Sequence, residues 1–331
     1  TLSSSSAASD VYKRQSPPQP PRYDDSLWLI RGGHPGAAQG LQEQLQRSDL
    51  PPIRRATLLA ELANYPSAQA LQLATQALGH ADPQVRESAV RATSALVPPA
   101  ERGPLLVPLL QDPVKAVRIT AARDLLGAAR SGLGPAQGAW DKALGEYEAV
   151  QLSLVERAEA NLNLAMLYQA SGRGAEVEPY LRAALRRDSD FFPALVTLGQ
   201  WLEANGRSQE AQQLLAQALQ QHPESALLQH TRGLSLIRGG DTARAMAALK
   251  KAAELEPQNA QYAYVLAVAL HDSGQQDAAN RQLQALLQRQ PTQRNARLSL
   301  IQYYLESGQE PKAQALMQQW KQLNPGDPAL Q

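Results

Sequence analysis

Five glycines, Gly172, Gly206, Gly240, Gly274 and Gly308, stand 34 residues apart. Four prolines, Pro223, Pro257, Pro291 and Pro325, keep the same spacing. A third series runs Ala143, Val177, Ala211, Ala245, Ala279 and Ala313, and a fourth runs Ala165, Gly199, Gly233 and Ala267 before Ile301 breaks it. Series of four kinds sharing one period imply a repeating unit of two amphipathic helices. Each glycine falls between the helices, where a left-handed turn costs glycine little. Each proline ends the second helix, which it cannot continue. The small residues mark where the two helices cross, because a short side chain permits close approach. Leu198, Leu266 and Leu300 precede the small position, and Tyr168, Leu202, Leu236, Leu270 and Tyr304 follow it by three residues on the buried face.

The N-terminal half keeps a different period. Ile53-Arg54, Val85-Arg86 and Val117-Arg118 recur at 32 residues, the second and third after Asp82-Pro83 and Asp112-Pro113 and the first after Pro51-Pro52. An Asp at a helix start caps free amides and a Pro fits the first turn. The arginine is placed to pair with a neighbouring unit. Helix pairs of this length stack into a solenoid.

The 34-residue unit resembles the tetratricopeptide repeat, with five units over 158–331. Residues 134–157, carrying Ala143, resemble a lone second helix that caps the array. The 32-residue unit resembles the HEAT repeat, over 23–133. The expected fold is therefore all-α, an α-solenoid of about three HEAT-like units running into a tetratricopeptide superhelix. The phrases HPGAAQGL, PPIRRATLLAELANYPS, LLQDPVKAVRITAARDLL and NAQYAYVLAVALHDSGQ are together similar to the C-terminal half of a family of large bacterial multihaem c-type cytochromes. That resemblance implies a periplasmic interaction tail of an electron-transfer protein, with a redox partner or a haem-bearing half as its partner. This chain has no cysteine, so haem c is implied only for a region upstream, and no cofactor for the chain itself. Without the resemblance the expectation is a free-standing cytoplasmic adaptor. Thr1–Gln15 resembles a translated sequencing adapter, and Ser16–Arg22, with four prolines, reads as an extended linker.

Composition narrows the function classes. With 32 Lys+Arg against 31 Asp+Glu the formal charge is +1, which lacks the basic surplus a nucleic-acid or anionic-membrane binder needs. No apolar run approaches the ~18 residues that span a bilayer, so no membrane insertion is expected. Phosphate-loop, zinc-helix and nucleophile-elbow motifs are absent, and no enzymatic activity is expected. The five histidines are scattered in sequence. Folding could bring His230 and His271 together on adjacent first helices, where two polar groove residues are the plainer reading and no metal site is expected.

In tetratricopeptide arrays the first helix of each unit lines the concave face. Transferred unit by unit, the lining falls on Leu162, Met166 and Gln169, then on Val196, Gln200 and Glu203, then on His230, Leu234, Ile237 and Arg238. Tyr264, Val268, His271 and Asp272 follow, and Leu298, Gln302, Leu305 and Glu306 complete it. Of these, Gln200, Glu203, His230, Leu234, Ile237, Arg238, Tyr264, Val268, His271, Leu298 and Gln302 form the expected peptide-binding set. Its apolar stripe fits a peptide or a helix laid in the groove, and equally another domain of the same protein. Trp320 takes the small-residue position of the last second helix and is expected to close the core there.

Overall fold

The computed structural model describes residues 22–127 and 133–330. The adapter-like segment and almost all of the proline-rich linker lie outside the described residues. Every regular element among the described residues is helical, as the sequence periods require. In the N-terminal part α1 (Tyr23–Gly32) packs on α2 (Ala37–Gln46), whereas α3 (Pro52–Glu61) and α4 (Ala68–Ala77) both pack on the helix that follows them. There follow α5 (Pro83–Leu96), the short α6 (Gly103–Leu106), α7 (Lys115–Asp124) and α8 (Gln137–Leu152).

Five helix pairs then repeat. They are α9 (Ala158–Ala170) with α10 (Gly174–Arg187), α11 (Phe192–Ala204) with α12 (Ser208–Gln221), and α13 (Ala226–Arg238) with α14 (Thr242–Leu255). The last two are α15 (Ala260–Asp272) with α16 (Gln276–Arg289), and α17 (Arg294–Glu306) with α18 (Glu310–Leu323). The five turn glycines have φ between 69° and 80°, a region where other residues are strained. Polar caps start some of these helices: Ser225 accepts from the Leu228 amide and Asn259 from the Gln261 amide.

The small-residue rule holds at one glycine and not at another. A Cβ on Gly233 would lie 2.5 Å from the side chain of Leu249 on α14, so contact between α13 and α14 demands the missing side chain. A Cβ on Gly199 would meet nothing within 4 Å. That position is small without being crowded.

In the N-terminal part the arginines pair forward, as the Val-Arg spacing suggests. Arg86 holds Asp112 through two bonds of 2.6 and 2.9 Å and also caps the carbonyls of His80 and Ala81. Arg118 grips Glu146 of α8 and caps the carbonyls of Asp112 and Pro113. Arg54 departs from this ladder and lies over the Tyr23 ring instead. Asp82 caps α5 as expected, but the next helix begins two residues beyond Pro113, and Asp112 caps the Val114 amide ahead of it.

A single apolar core runs from Val90 through Trp140 to Leu202 and Ala211, so the two kinds of repeat share one interior. Trp140 on α8 anchors the junction, its indole donating to the Ala122 carbonyl at 2.9 Å. The far ends of the solenoid also meet. The Gly36 amide donates to the Gln322 carbonyl at 3.2 Å, and Asn324 Nδ2 donates to the Pro66 carbonyl at 2.9 Å. The array therefore closes upon itself, a contact between its ends that the repeat periods do not specify.

Candidate functional site: the face of the first helices

The first helices α9, α11, α13, α15 and α17 lie side by side, and the 34-residue period sets their side chains in columns. Positions ten, six and three residues before each turn glycine fall on one helical face. The first column holds Leu162, Val196, His230, Tyr264 and Leu298. The second holds Met166, Gln200, Leu234, Val268 and Gln302, and the third Gln169, Glu203, Ile237, His271 and Leu305.

Of the eleven residues expected to bind a peptide, Gln200, Ile237, Arg238 and Gln302 are exposed, and Glu203, Leu234, Tyr264, Val268, His271 and Leu298 are half-buried. His230 differs. It is buried, with its ring 4.7 Å from that of Tyr262 on the next first helix. Burial pushes its imidazole below the ordinary value, and its Nδ1 has no hydrogen-bond partner. His230 is thus a packing residue, its ring set against Tyr262 of the next first helix.

Neighbouring units are tied by pairs at fixed register. Glu203 accepts from Arg238 at 2.6 and 3.0 Å and from Ser235 at 2.7 Å. Two units later the same two positions hold His271 and Glu306, whose Nε2 and Oε2 atoms are 3.0 Å apart. His271 also stacks on Tyr303, with centroids 3.6 Å apart and planes 4° from parallel. Burial, and then the charges of Asp272, Tyr264 and Glu306, push the Tyr303 hydroxyl up to about 12. Tyr264 and Ser299 bridge the same two units at 3.2 Å.

His230 and His271 therefore engage different tyrosines and do not converge. No group of three or more metal-ligating side chains occurs among the described residues. With no cysteine, the chain offers no thioether attachment for haem c. No helix among the described residues is long and apolar enough to cross a membrane.

Large apolar side chains nevertheless face water on this surface. Met166 is 54% exposed, Leu305 48% and Ile237 39%. Trp320 is fully buried, as its place in the last unit suggested. Sequence reasoning missed two charged residues near it, Arg297 and Asp327, both buried. The signal for Arg297 is its column, which otherwise holds Asn161, Leu195, Gln229 and Ala263.

Family models match both kinds of repeat. The HEAT-repeat family matches residues 38–127. One tetratricopeptide-repeat family matches 169–234 and 270–331, and a second matches 230–279. A search of curated proteins returns no match. Among solved structures, the MamA protein is 17% identical over 50% of this chain and 91% of its own, with a TM-score of 0.41. A MamA fragment from Desulfovibrio magneticus RS-1 is 18% identical over 50% and 94%, at a TM-score of 0.41. YrrB, a TPR protein with an unusual peptide-binding site, is 22% identical over 53% and 90%, at a TM-score of 0.39. The chain is built of HEAT repeats followed by tetratricopeptide repeats.

Proposed function

We propose that this chain is a non-catalytic scaffold that holds a segment of another protein against the face of its first helices. The observation that carries the reading is the apolar side chains left in water there, Met166, Ile237 and Leu305, flanked by the Glu203–Arg238 and His271–Glu306 pairs. Apolar surface costs free energy in water and is recovered when a partner covers it. The polar pairs set direction and register on whatever lies between them. Leu234 and Tyr264 are half-buried side chains between these groups and supply the floor.

The test is a photo-crosslinking residue placed at Ile237, with Gln213 on α12 as the control, in an extract of the source organism. Protein adducts from Ile237 and few from Gln213 are expected. The double substitution Leu234→Ala and Tyr264→Ala should suppress them while leaving far-UV circular dichroism unchanged. Equal adducts from both positions, or adducts that survive the double substitution, remove this face from the account.

We also propose that the array serves as the interaction tail of a periplasmic multihaem electron-transfer protein, with haem carried upstream and with a redox partner or the haem-bearing half as its ligand. The four phrases resembling that family support this reading. Sequencing the source DNA upstream of the Ser16 codon tests it. In-frame Cys-x-x-Cys-His codons behind a secretion signal are expected, and a start codon near Ser16 without them leaves a cytoplasmic adaptor.

A further inference from the structure

The two ends of the solenoid meet through backbone and polar groups. The Gly36 amide donates to the Gln322 carbonyl at 3.2 Å, and Asn324 Nδ2 to the Pro66 carbonyl at 2.9 Å. Glycines bring the two surfaces together: a Cβ on Gly33 would lie 2.9 Å from Pro291 Cβ, and one on Gly326 would lie 3.0 Å from Ser67 Cβ. No cluster of buried apolar residues crosses this seam among the described residues. Ile30, Leu41 and Tyr65 belong to a cluster confined to the N-terminal end, and Ala279, Leu300 and Tyr304 to one confined to the C-terminal end. The junction in the middle of the chain differs, because Trp140 and its neighbours join the two kinds of repeat in one interior.

A hydrogen bond between neutral groups contributes only about 1 kcal/mol net, so the seam lacks the apolar burial that makes an interface permanent. The array also has a place to bend. The core that begins at Val90 ends at Leu202 and Ala211, and Leu228 joins α13 to Leu195, Leu215 and Leu219 in a small cluster of its own. A cleft of about 460 Å³ lies between α12 and α14, over Arg232 and Leu236 of α13. With thin packing there, a rotation of the last three units against the first two disturbs little buried surface.

Head on tail is a heterologous contact, and what one chain satisfies within itself two chains can satisfy by exchange. We propose that the seam is an exchangeable interface whose partner is a second copy of this chain. The tail 322–327 of each copy seats on the Gly33–Gly36 turn and on Pro66–Ser67 of the other, giving a closed head-to-tail dimer. Each chain then keeps the hydrogen bonds and glycine contacts of one seam, while two arrays share the curvature that a single array supplies alone. A stiff array must bend along its length to join its own ends, which reduces the advantage of closure within one chain. The columns of the first-helix face take no part, so the proposal does not depend on the scaffold reading.

The chain has no cysteine, so engineered thiols report only on the positions chosen. With Ser67→Cys and Gly326→Cys in one dilute chain, oxidation should lock the seam within the monomer, because the two Cβ positions lie within a small shift of disulfide distance. With the two substitutions on separate chains, mixed and then oxidised, the 67–326 heterodimer should exceed the 67–67 and 326–326 homodimers about tenfold and should fall on dilution. Sedimentation velocity of the native chain, up to about 200 µM, should show monomer and dimer in a concentration-dependent ratio. The locked chain should stay monomeric until dithiothreitol is added. Gly326→Trp fills the seam from a position outside the helices, needs no thiol, and should leave only monomer with unchanged far-UV circular dichroism. No dimer of the native chain, a dimer that persists in the locked chain or in Gly326→Trp, or a heterodimer no more abundant than the homodimers would each overturn the proposal. So would a double-cysteine chain that does not lock, since its ends would not meet.

Discussion

Asn324 and Pro66 are 258 residues apart in sequence and joined by one hydrogen bond, from the asparagine amide to the proline carbonyl at 2.9 Å. Asn324 is 1% exposed and continues from the last turn of α18, and Pro66 precedes α4. A solenoid grows by contacts between neighbouring units, so a bond between its two ends belongs to the curvature of the whole array.

The seam should open before the units do. Asn324→Ala removes the bond at a cost of about 1 kcal/mol. Hydrogen exchange should accelerate at the Gly36 amide, which donates to the Gln322 carbonyl across the same seam, while amides inside α13 and α15 keep their protection. Unchanged exchange at Gly36 would mean that Asn324 does not hold the ends together.

The two helical glycines should respond in opposite directions. Gly233→Leu forces a side chain into Leu249, where even a Cβ would lie at 2.5 Å, and should cost about 2–3 kcal/mol by overpacking. Gly199→Ala enters open space and should add about 0.5–1 kcal/mol by restricting the unfolded chain and favouring the helix. Urea midpoints of the two variants decide the matter, and a loss at both sites would mean that the α11–α12 contact is tighter than the geometry shows.

Acid should unfold the array through two buried carboxyls. Burial raises Asp112, but Arg86 and the Val114 amide outweigh it and hold the group below the ordinary Asp value of 3.8. Asp327 is likewise raised by burial and lowered further by Arg294, the Ala329 amide and Trp320. Both are therefore depressed in the folded chain, so their contribution is complete well above pH 3.8 and is lost as pH falls through the folded values. Asp112→Asn with Asp327→Asn should cost about 2 kcal/mol per site at pH 7, and should flatten the fall in urea midpoint between pH 5 and pH 2. An unchanged slope would place acid sensitivity elsewhere.

Glu203 should matter more to a partner than to the fold. Its partner Arg238 is half-exposed, so Glu203→Ala should move stability by less than about 1 kcal/mol. The same change frees Arg238 and Ser235 and should alter the yield of crosslinks from Ile237. A large drop in melting temperature with crosslinking intact would assign Glu203 to the fold alone.

Much of this arrangement is legible in the sequence because it is local and repeated. The spacing of Gly172 to Gly308 places each turn, the prolines place each helix end, and the Val-Arg phrases anticipate Arg86–Asp112 and Arg118–Glu146. The column arithmetic also brings Glu203 toward Arg238, since a fixed register turns sequence distance into spatial distance. The departures arise where two units meet in a way the period does not specify. His230 keeps its column yet is buried, because Tyr262 of the following helix lies against it. Gly199 keeps the small-residue rule without needing it.

The helices, their pairing within each 34-residue unit and the face that carries the columns follow from local residue patterns, because hydrophobic period, capping and turn glycines act over a few residues. The meeting of the two ends, the bonds from Arg294 and Trp320 to Asp327, and the burial of Arg297 without an acid of its own arise in the folded array. Those outcomes depend on small rotations between successive units, summed over the whole array, and no local pattern of residues encodes that sum.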